Sequence, residues 1–276
     1  MAGMLYLVPT PIGNLGDISR RMAETMAEAD FLAAEDTRVT VKLLNHLNIK
    51  KPMVTYHRHN AESAGPAILS RILAGESCAL VTDAGTPAIS DPGEELVALC
   101  AQSGVDVISI PGPCAMITAL SVSGLPTGRF TFEGFLPMNK KNRRAQLEQL
   151  REEERTMIFY EAPHKLLPTL EDLGDVFGGE RRIAVCRELT KLHEEIYRAT
   201  LGEALTYFTE KGAKGEFVLV VDGAAPKEKV SDPDGAMARV EQLRAEGLSL
   251  KEAAAQAAAE FGMKKKALYD RAIGKE

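Results

Sequence analysis

The sequence predicts an α/β protein made of two α/β domains, residues 1–124 and 125–224, followed by a small helical appendage over 231–276. Three observations carry this. Short apolar or β-branched runs alternate with helical patterns as far as residue 124, the rhythm of βαβ units around a parallel sheet. From Thr127 to Val221 five further strand patterns follow, some with connections short enough to predict antiparallel neighbours. The Pro- and Gly-containing stretch from Gly223 to Pro233 then reads as a linker, and 276 residues is long for one domain.

Taken in order, the first domain has strand patterns at Met4–Val8, Phe31–Ala34, Met53–Tyr56, Cys78–Thr82 and Val107–Ile110. Helical patterns near Ser19–Ala27, Arg38–Leu47, Glu62–Ala74 and Glu94–Gln102 separate them. A helix of small residues after Pro113 closes this domain, and Gly124-Leu125-Pro126 ends it. The second domain has strands at Phe130–Gly134, Thr156–Tyr160, Arg182–Cys186, Glu194–Thr200 and Glu216–Val221. Its helices fit Arg143–Glu152, His164–Leu173 and Gly202–Thr209. The appendage carries helices over Pro233–Glu246, Ser249–Phe261 and Lys264–Ile273, with Ser249 and Glu252 spaced as a capping box.

Composition narrows the function classes. The net charge of −6 supplies no global field for nucleic acid, so any such contact must be local. The four cysteines are far apart with no C-x-x-C pair and histidine is sparse, so a zinc site is not expected. No signal peptide or membrane-length apolar run occurs, and a reducing cytoplasm is the expected compartment.

The loops after the strands hold the chemistry. V-T-D-A-G-T-P-A-I-S-D-P-G, Val81 to Gly93, and P-G-P-C-A-M, Pro111 to Met116, end two strands expected to be neighbours on one sheet edge. In open α/β sheets that edge binds ligands. The loop from Pro9 to Gly16 lacks a G-x-G-x-x-G pattern, which disfavours a pyrophosphate ligand. Asp83 and Asp91 bracket the long loop, and the prolines beside them favour capping roles over a metal; none is expected. Glu35-Asp36-Thr37-Arg38 offers Asp36 either as a helix cap or as a group facing the cleft. His57 to Asn60 reads as a substrate contact or a surface loop. Lys140, Lys141, Arg143 and Arg144 form a basic run, either a solvated helix start or a phosphate contact. Glu161, His164 and Lys165, and then Arg187, Glu188 and Lys191, put charge at two further strand ends; a structural Arg–Glu pair is the alternative there. Lys264 to Lys266 fit a plain helical appendage or a helix-turn-helix contact to nucleic acid.

In order along the chain stand P-T-P-I-G-N-L-x-D-I, E-D-T-R, D-A-G-T-P-x-I-S-D-P-G, P-G-P, F-x-G-F-L-P, F-Y-E-x-P-H, R-E-L-T-K and G-E-F-V-L-V-V. Together they resemble the bacterial 16S ribosomal RNA cytidine-2′-O-ribose methyltransferases of the decoding centre, in the tetrapyrrole-methylase-like superfamily. The resemblance covers nearly the whole chain. It implies S-adenosylmethionine held in a cleft between two α/β domains, a homodimer, no membrane, and 16S rRNA of the small ribosomal subunit as partner. The cofactor contacts it implies are Pro9, Asp83, Gly85, Thr86, Ile89, Ser90, Cys114, Ala115, Tyr160, Leu189 and Phe217. A ribose hydroxyl is a weak nucleophile and needs a proton acceptor; Asp36, Glu161 and Glu188 are the candidates. Arg38, Lys165 and Arg187 are candidates for stabilising charge at the reacting oxygen or holding phosphate. His57, Asn60, Lys140, Lys141, Arg143, Arg144 and Lys191 are the candidate RNA contacts. A tetrapyrrole ring methylase is the competing reading, disfavoured because P-T-P-I-G-N replaces the Gly-rich first loop of those enzymes and G-T-P their G-D-P core.

Overall fold

The computed structural model describes residues 3–225 and 232–274. Residues 226–231, most of the expected linker, lie outside the described residues. The chain divides into two compact units, Met1–Ala224 and Ala225–Glu276. The first unit contains both expected sheets, so the change near residue 124 is a change of sheet within one unit.

The first sheet contains β1 (Leu5–Leu7), β2 (Phe31–Ala34), β3 (Met53–Thr55), β4 (Cys78–Val81) and β5 (Val107–Ser109), in the order β3-β2-β4-β1-β5. All its pairs are parallel, so every strand delivers its C-terminal loop to one edge. The long loop after β4 and the Pro-Gly-Pro loop after β5 are therefore on that edge as expected. They are not neighbours, however: β1 runs between their strands. Helices α1 (Arg20–Glu28), α2 (Thr37–His46), α3 (Ala61–Leu73) and α4 (Glu94–Gln102) supply the crossovers. Alternate strand residues are apolar on both faces, as a doubly covered parallel sheet requires. Phe31 and Leu80 pack with Ile68, Ile72 and Leu96 on one side; Leu32 and Val81 pack with Met22, Met26 and Leu44 on the other.

The next helix, α5 (Ala115–Val122), corrects the sequence expectation. It follows β5 in the chain, but Ala119 and Leu120 pack on Ile158, Ala184 and Val220 of the second sheet. It reaches across to cover the other sheet instead of closing its own, and Gly124-Leu125-Pro126 follows it directly. That sheet comprises β6 (Phe130–Phe135), β7 (Thr156–Glu161), β8 (Arg182–Arg187), β9 (Glu195–Thr200) and β10 (Phe217–Val221), in the order β6-β7-β10-β8-β9. Only β6 and β7 pair in parallel; the β8–β9 hairpin and both pairs of β10 are antiparallel. Its far face is covered by α6 (Lys140–Gln149), α7 (Leu166–Phe177) and α8 (Leu201–Lys211) around Leu147, Leu170, Leu173 and Phe208.

The second unit is a three-helix cluster of α9 (Pro233–Ala245), α10 (Leu250–Glu260) and α11 (Lys265–Ala272). Ala253, Ala254 and Ala257 pack on Val240, Leu243 and Leu268, small residues letting the helices approach closely. The Ser249–Glu252 capping box forms: the Ser249 N–H donates to the Glu252 carboxylate at 3.0 Å, and the Glu252 N–H donates to Ser249 Oγ at 3.3 Å.

Candidate active site

In the first unit, the loop edge of the first sheet faces β7, β8 and β10 across a cavity of about 410 Å³. From the first sheet come Ile12, Gly85, Thr86, Ile89, Ser90 and Asp91, and from the start of α5 come Cys114 and Ala115. From the second come Phe135, Tyr160, Glu161, Cys186, Leu189, Glu216, Phe217 and Val218.

The loops are fixed to one another before any ligand is considered. Thr10 and Gly85 form an isolated antiparallel bridge that joins the loops after β1 and β4. Thr10 Oγ1 donates to the Thr82 carbonyl at 3.0 Å, and Thr86 Oγ1 donates to the Pro113 carbonyl at 2.9 Å. Gly85 has φ +90°, a conformation that glycine adopts without a Cβ clash. Ala88, Glu188 and Thr190 hold positive φ at +64°, +50° and +68°, each at a cost of order 1–3 kcal/mol. Two of these three flank Leu189, so the R-E-L-T-K turn is bent to push one apolar side chain into the cavity. Gly215 is required opposite: a Cβ there would lie 2.4 Å from Glu188 Cγ.

The wall chemistry is one-sided. Asp91, Glu161 and Glu216 are the charged lining residues, and among the described residues no Lys, Arg or His lines the cavity. Glu161 is buried and fully engaged, receiving Thr169 Oγ1 at 2.6 Å and the Ala162 N–H at 2.9 Å. Glu216 pairs with Lys191 at 2.7 Å. Asp91 has no side-chain hydrogen bond or ion pair among the described residues. Burial pushes its carboxyl above the ordinary range, Arg58 opposes the shift and Asp83 adds to it. Asp91 is thus not the helix cap expected from its position; the N-cap of α4 is Gly93, with no side-chain cap hydrogen bond. Tyr160 faces it from the second sheet, its phenol pushed up to about 12 chiefly by burial. Tyr160 Oη accepts the Met116 N–H at 3.1 Å, which ties β7 to the first turn of α5.

Of the residues singled out in the sequence, Gly85, Thr86, Ile89, Ser90, Cys114, Ala115, Tyr160, Leu189, Phe217 and Glu161 meet at this cavity. Pro9 does not line it. It is buried behind the loops, where a Cβ on Gly112 would come within 2.9 Å of it. Asp83 lines a separate hollow of about 230 Å³ beside Lys42 and His46. Asp36 caps α2, accepting the Arg38 N–H at 2.8 Å, and grips the Arg38 side chain, which holds its carboxyl down at about 2. Neither Asp36 nor Arg38 lines the cavity, and nor does half-buried Lys165. Arg187 donates to the Lys214 carbonyl at 2.6 Å and lies 3.4 Å from Glu195, the structural pairing that was the alternative. Glu188 accepts Lys191 Nζ and the Glu216 N–H, each at 2.9 Å. Lys191 is therefore shared between two carboxylates and is not a free cation.

The basic run needs correction too. Asn139 caps α6, accepting the Asn142 N–H, so the run is the first turn of that helix. Arg143 points inward, buried, and meets fully buried Asp172 at 2.6 Å. Arg144 pairs with Asp172 and Asp175, and only Lys140 and Lys141 remain well exposed. Asn60 closes the turn after β3, its amide donating to the Thr55 carbonyl and its Oδ1 accepting the His57 N–H. The sequence reading missed Asp91, Ile12, Phe135 and Cys186 as lining residues.

The family model described as "Tetrapyrrole (Corrin/Porphyrin) Methylases" matches residues 4–205, and "RsmI C-terminal HTH domain" matches residues 230–275. A curated protein of Synechocystis sp., "Ribosomal RNA small subunit methyltransferase I", is 50% identical over 97% of this chain and 96% of its own length. The chain belongs to the ribosomal RNA small subunit methyltransferase I family. The Escherichia coli O157:H7 relative of the same name is 47% identical over 98% of this chain and 95% of its own. Among solved structures, the Thermus thermophilus uroporphyrin-III-C-methyltransferase superposes with TM-score 0.53 at 19% identity, over 79% of this chain and 94% of that one. A cobalt precorrin-4 methyltransferase superposes with TM-score 0.55 at 17% identity, over the same shares. These two likenesses establish the tetrapyrrole-methylase fold, with its two sheets facing a shared cleft. Membership in the family makes the protein a methyltransferase.

Proposed function

We propose that this protein transfers a methyl group from S-adenosylmethionine to the ribose 2′-oxygen of a decoding-centre cytidine in 16S ribosomal RNA. The observation that carries the cofactor assignment is the acid-only wall. A cavity of about 410 Å³ lies in the range that encloses a compact ligand, about 300–1,000 Å³. Three carboxylates in the lining, with Lys191 and Arg58 partnering them only from outside, suit a sulfonium better than a pyrophosphate. Gly85 to Ser90, Cys114, Ala115, Leu189 and Phe217 would hold the cofactor; it supplies an electrophilic methyl carbon when bound. The rRNA acceptor is supported by the relatives' name over nearly the full length of both chains.

The protein's work is alignment and proton removal. The new bond forms between the ribose oxygen and the methyl carbon as the carbon–sulfur bond breaks, leaving a neutral thioether. The hydroxyl proton must go to a base near the attack line. The carboxylates expected for this are engaged elsewhere: Asp36 with Arg38, Glu161 with Thr169 and Ala162, Glu188 with Lys191. Asp91 is the lining carboxylate without such a partner, and we assign it that role. Phosphates fit the exposed Arg38, Lys140 and Lys141, which do not line the cavity; within the second unit, Lys264 to Lys266 are exposed as well. A cytoplasmic homodimer acting on the small subunit completes the reading. Labelled methyl transfer to small-subunit particles, with mapping to the ribose, tests it. Label on the base, or transfer to a porphyrinoid with none to RNA, would overturn it.

A further inference from the structure

β6 carries a feature that the cofactor reading leaves unexplained. Its register with β7 shifts between Phe132 and Gly134, so that Phe132 faces Ile158, Gly134 faces Phe159 and Phe135 faces Tyr160. Glu133 is the extra residue of a β-bulge, and Gly134 turns the chain at φ +65°. Bulges bend a strand and re-aim the side chains beyond them. In a regular strand, residues three apart point to opposite faces. Here Phe132 and Phe135 both meet the Tyr160 ring, at centroid distances of 4.9 and 5.6 Å and interplanar angles of 68° and 64°. The bulge has moved Phe135 from the face covered by α6, α7 and α8 to the cavity face.

The result is costly unless something covers it. Phe135 lines the cavity yet is 56% exposed. It meets Tyr160 near edge-on. From the loop after β4 of the first sheet, Ile89 also lines the cavity and is 51% exposed. The cavity lining thus offers two half-exposed apolar side chains, one aromatic and one aliphatic, from different sheets. A planar, uncharged group fits there.

We propose that Phe135 is the platform on which the target nucleobase stacks as its ribose enters the cavity, with Ile89 closing the other side. This rests on the RNA methyltransferase reading above. An enzyme that modifies a nucleotide within folded RNA must take it out of its stack, and a π-face replaces part of what the base loses. Stacking on an aromatic ring tolerates any base, so Phe135 positions the nucleotide and does not select cytosine.

The test uses three variants of the full chain. Phe135→Ala should raise KM for small-subunit RNA about tenfold or more while the cofactor Kd, by calorimetry, stays within about twofold. Phe135→Trp should restore KM. Because the chain contains no tryptophan, the same variant should also report RNA directly, its fluorescence quenched by RNA added to the cofactor complex beyond any quenching by cofactor alone. Phe135→Leu should not restore KM. Cofactor affinity falling in step with kcat/KM in the Ala variant would place the ring against the cofactor and overturn the proposal. Full rescue by Leu would reduce Phe135 to an apolar filler. A changed oligomeric state of the Ala variant in sedimentation would make it an interface residue. Failure of the wild-type protein to methylate RNA would instead sink the reading on which the platform rests.

Discussion

Replacing Asp172 by Asn tests whether the basic run at the start of α6 belongs to the core or to the RNA. The Asp172 side chain is 1% exposed and that of Arg143 is 8% exposed. Arg143 Nε and Nη2 reach Asp172 Oδ2 at 2.7 and 2.6 Å. Once the carboxylate is replaced, the guanidinium loses its counter-charge and keeps a neutral amide oxygen and two long contacts to the Pro137 and Met138 carbonyls, at 3.4 and 3.3 Å. Breaking a buried pair from one side costs about 3–5 kcal/mol. With an m-value of about 3 kcal/mol/M, the urea midpoint should fall by about 1 to 1.7 M. Arg143→Met combined with Asp172→Leu removes both charges and fills the space. It should unfold within about 1 kcal/mol of the wild type, because replacing a buried pair by apolar residues is often neutral. Equilibrium urea unfolding followed by circular dichroism measures both. A loss below about 1 kcal/mol for Asp172→Asn, or a double variant no more stable than the single one, would refute the buried-pair account. Loss of RNA affinity in a stable double variant would return Arg143 to the phosphate-binding set.

Three further outcomes follow from the site. If Asp91 takes the ribose proton, it must be ionised, so activity should rise with pH through a value above the ordinary carboxylate pKa of about 3.9. Asp91→Asn should flatten that acidic limb and lower kcat about 10²–10⁴-fold, and an unchanged pH–rate profile would remove Asp91 from the role. Gly215→Ala places a Cβ 2.4 Å from Glu188 Cγ at φ +88°, so it should displace the turn carrying Leu189 and weaken the cofactor at least about tenfold by calorimetry. Replacing Lys264, Lys265 and Lys266 together by Ala should leave cofactor affinity unchanged and flatten the salt dependence of RNA binding by about two to three in log–log slope. An unchanged slope would leave the appendage without a phosphate-binding role.

The fold was readable because its signals are local. Five parallel strands of four residues or fewer still announce themselves when both faces are apolar, as Phe31–Ala34 and Cys78–Val81 are. Most of the cavity was readable for the same reason: its walls come from loops at strand ends, and Gly and Pro mark those loops in the sequence. What failed was long-range. Arg143 reads as a surface cation until Asp172, 29 positions later, is brought beside it. The helix Ala115–Val122 carries small apolar residues that suit either sheet, so nothing local said which one it covers. Asp91 sits beside a proline just before a helix, where a cap is the natural reading. The charge that acts on its carboxylate comes from Arg58, in the turn after β3, and its neighbour Tyr160 comes from β7, both distant in sequence.

Gly134 lies between these cases and shows why the site has its shape. An isolated glycine within a strand pattern is a recognisable sign of a bulge, so F-x-G-F-L-P contained the information that Phe135 changes face. The motif's glycine and its second phenylalanine then have one explanation: the first supplies a left-handed residue, and the second is delivered by it. A related logic holds at Gly215, which makes room for Glu188, and at Gly85, whose φ of +90° accompanies the bridge to Thr10; both sit in turns that carry lining residues. The carboxylates that hold these turns together are consumed in doing so, which leaves Asp91 chemically available. A cavity built this way has acidic walls without any cation inside it. On the proposed reading, phosphates would stay at the surface, and a ribose with its base turned out of the RNA would approach the methyl donor.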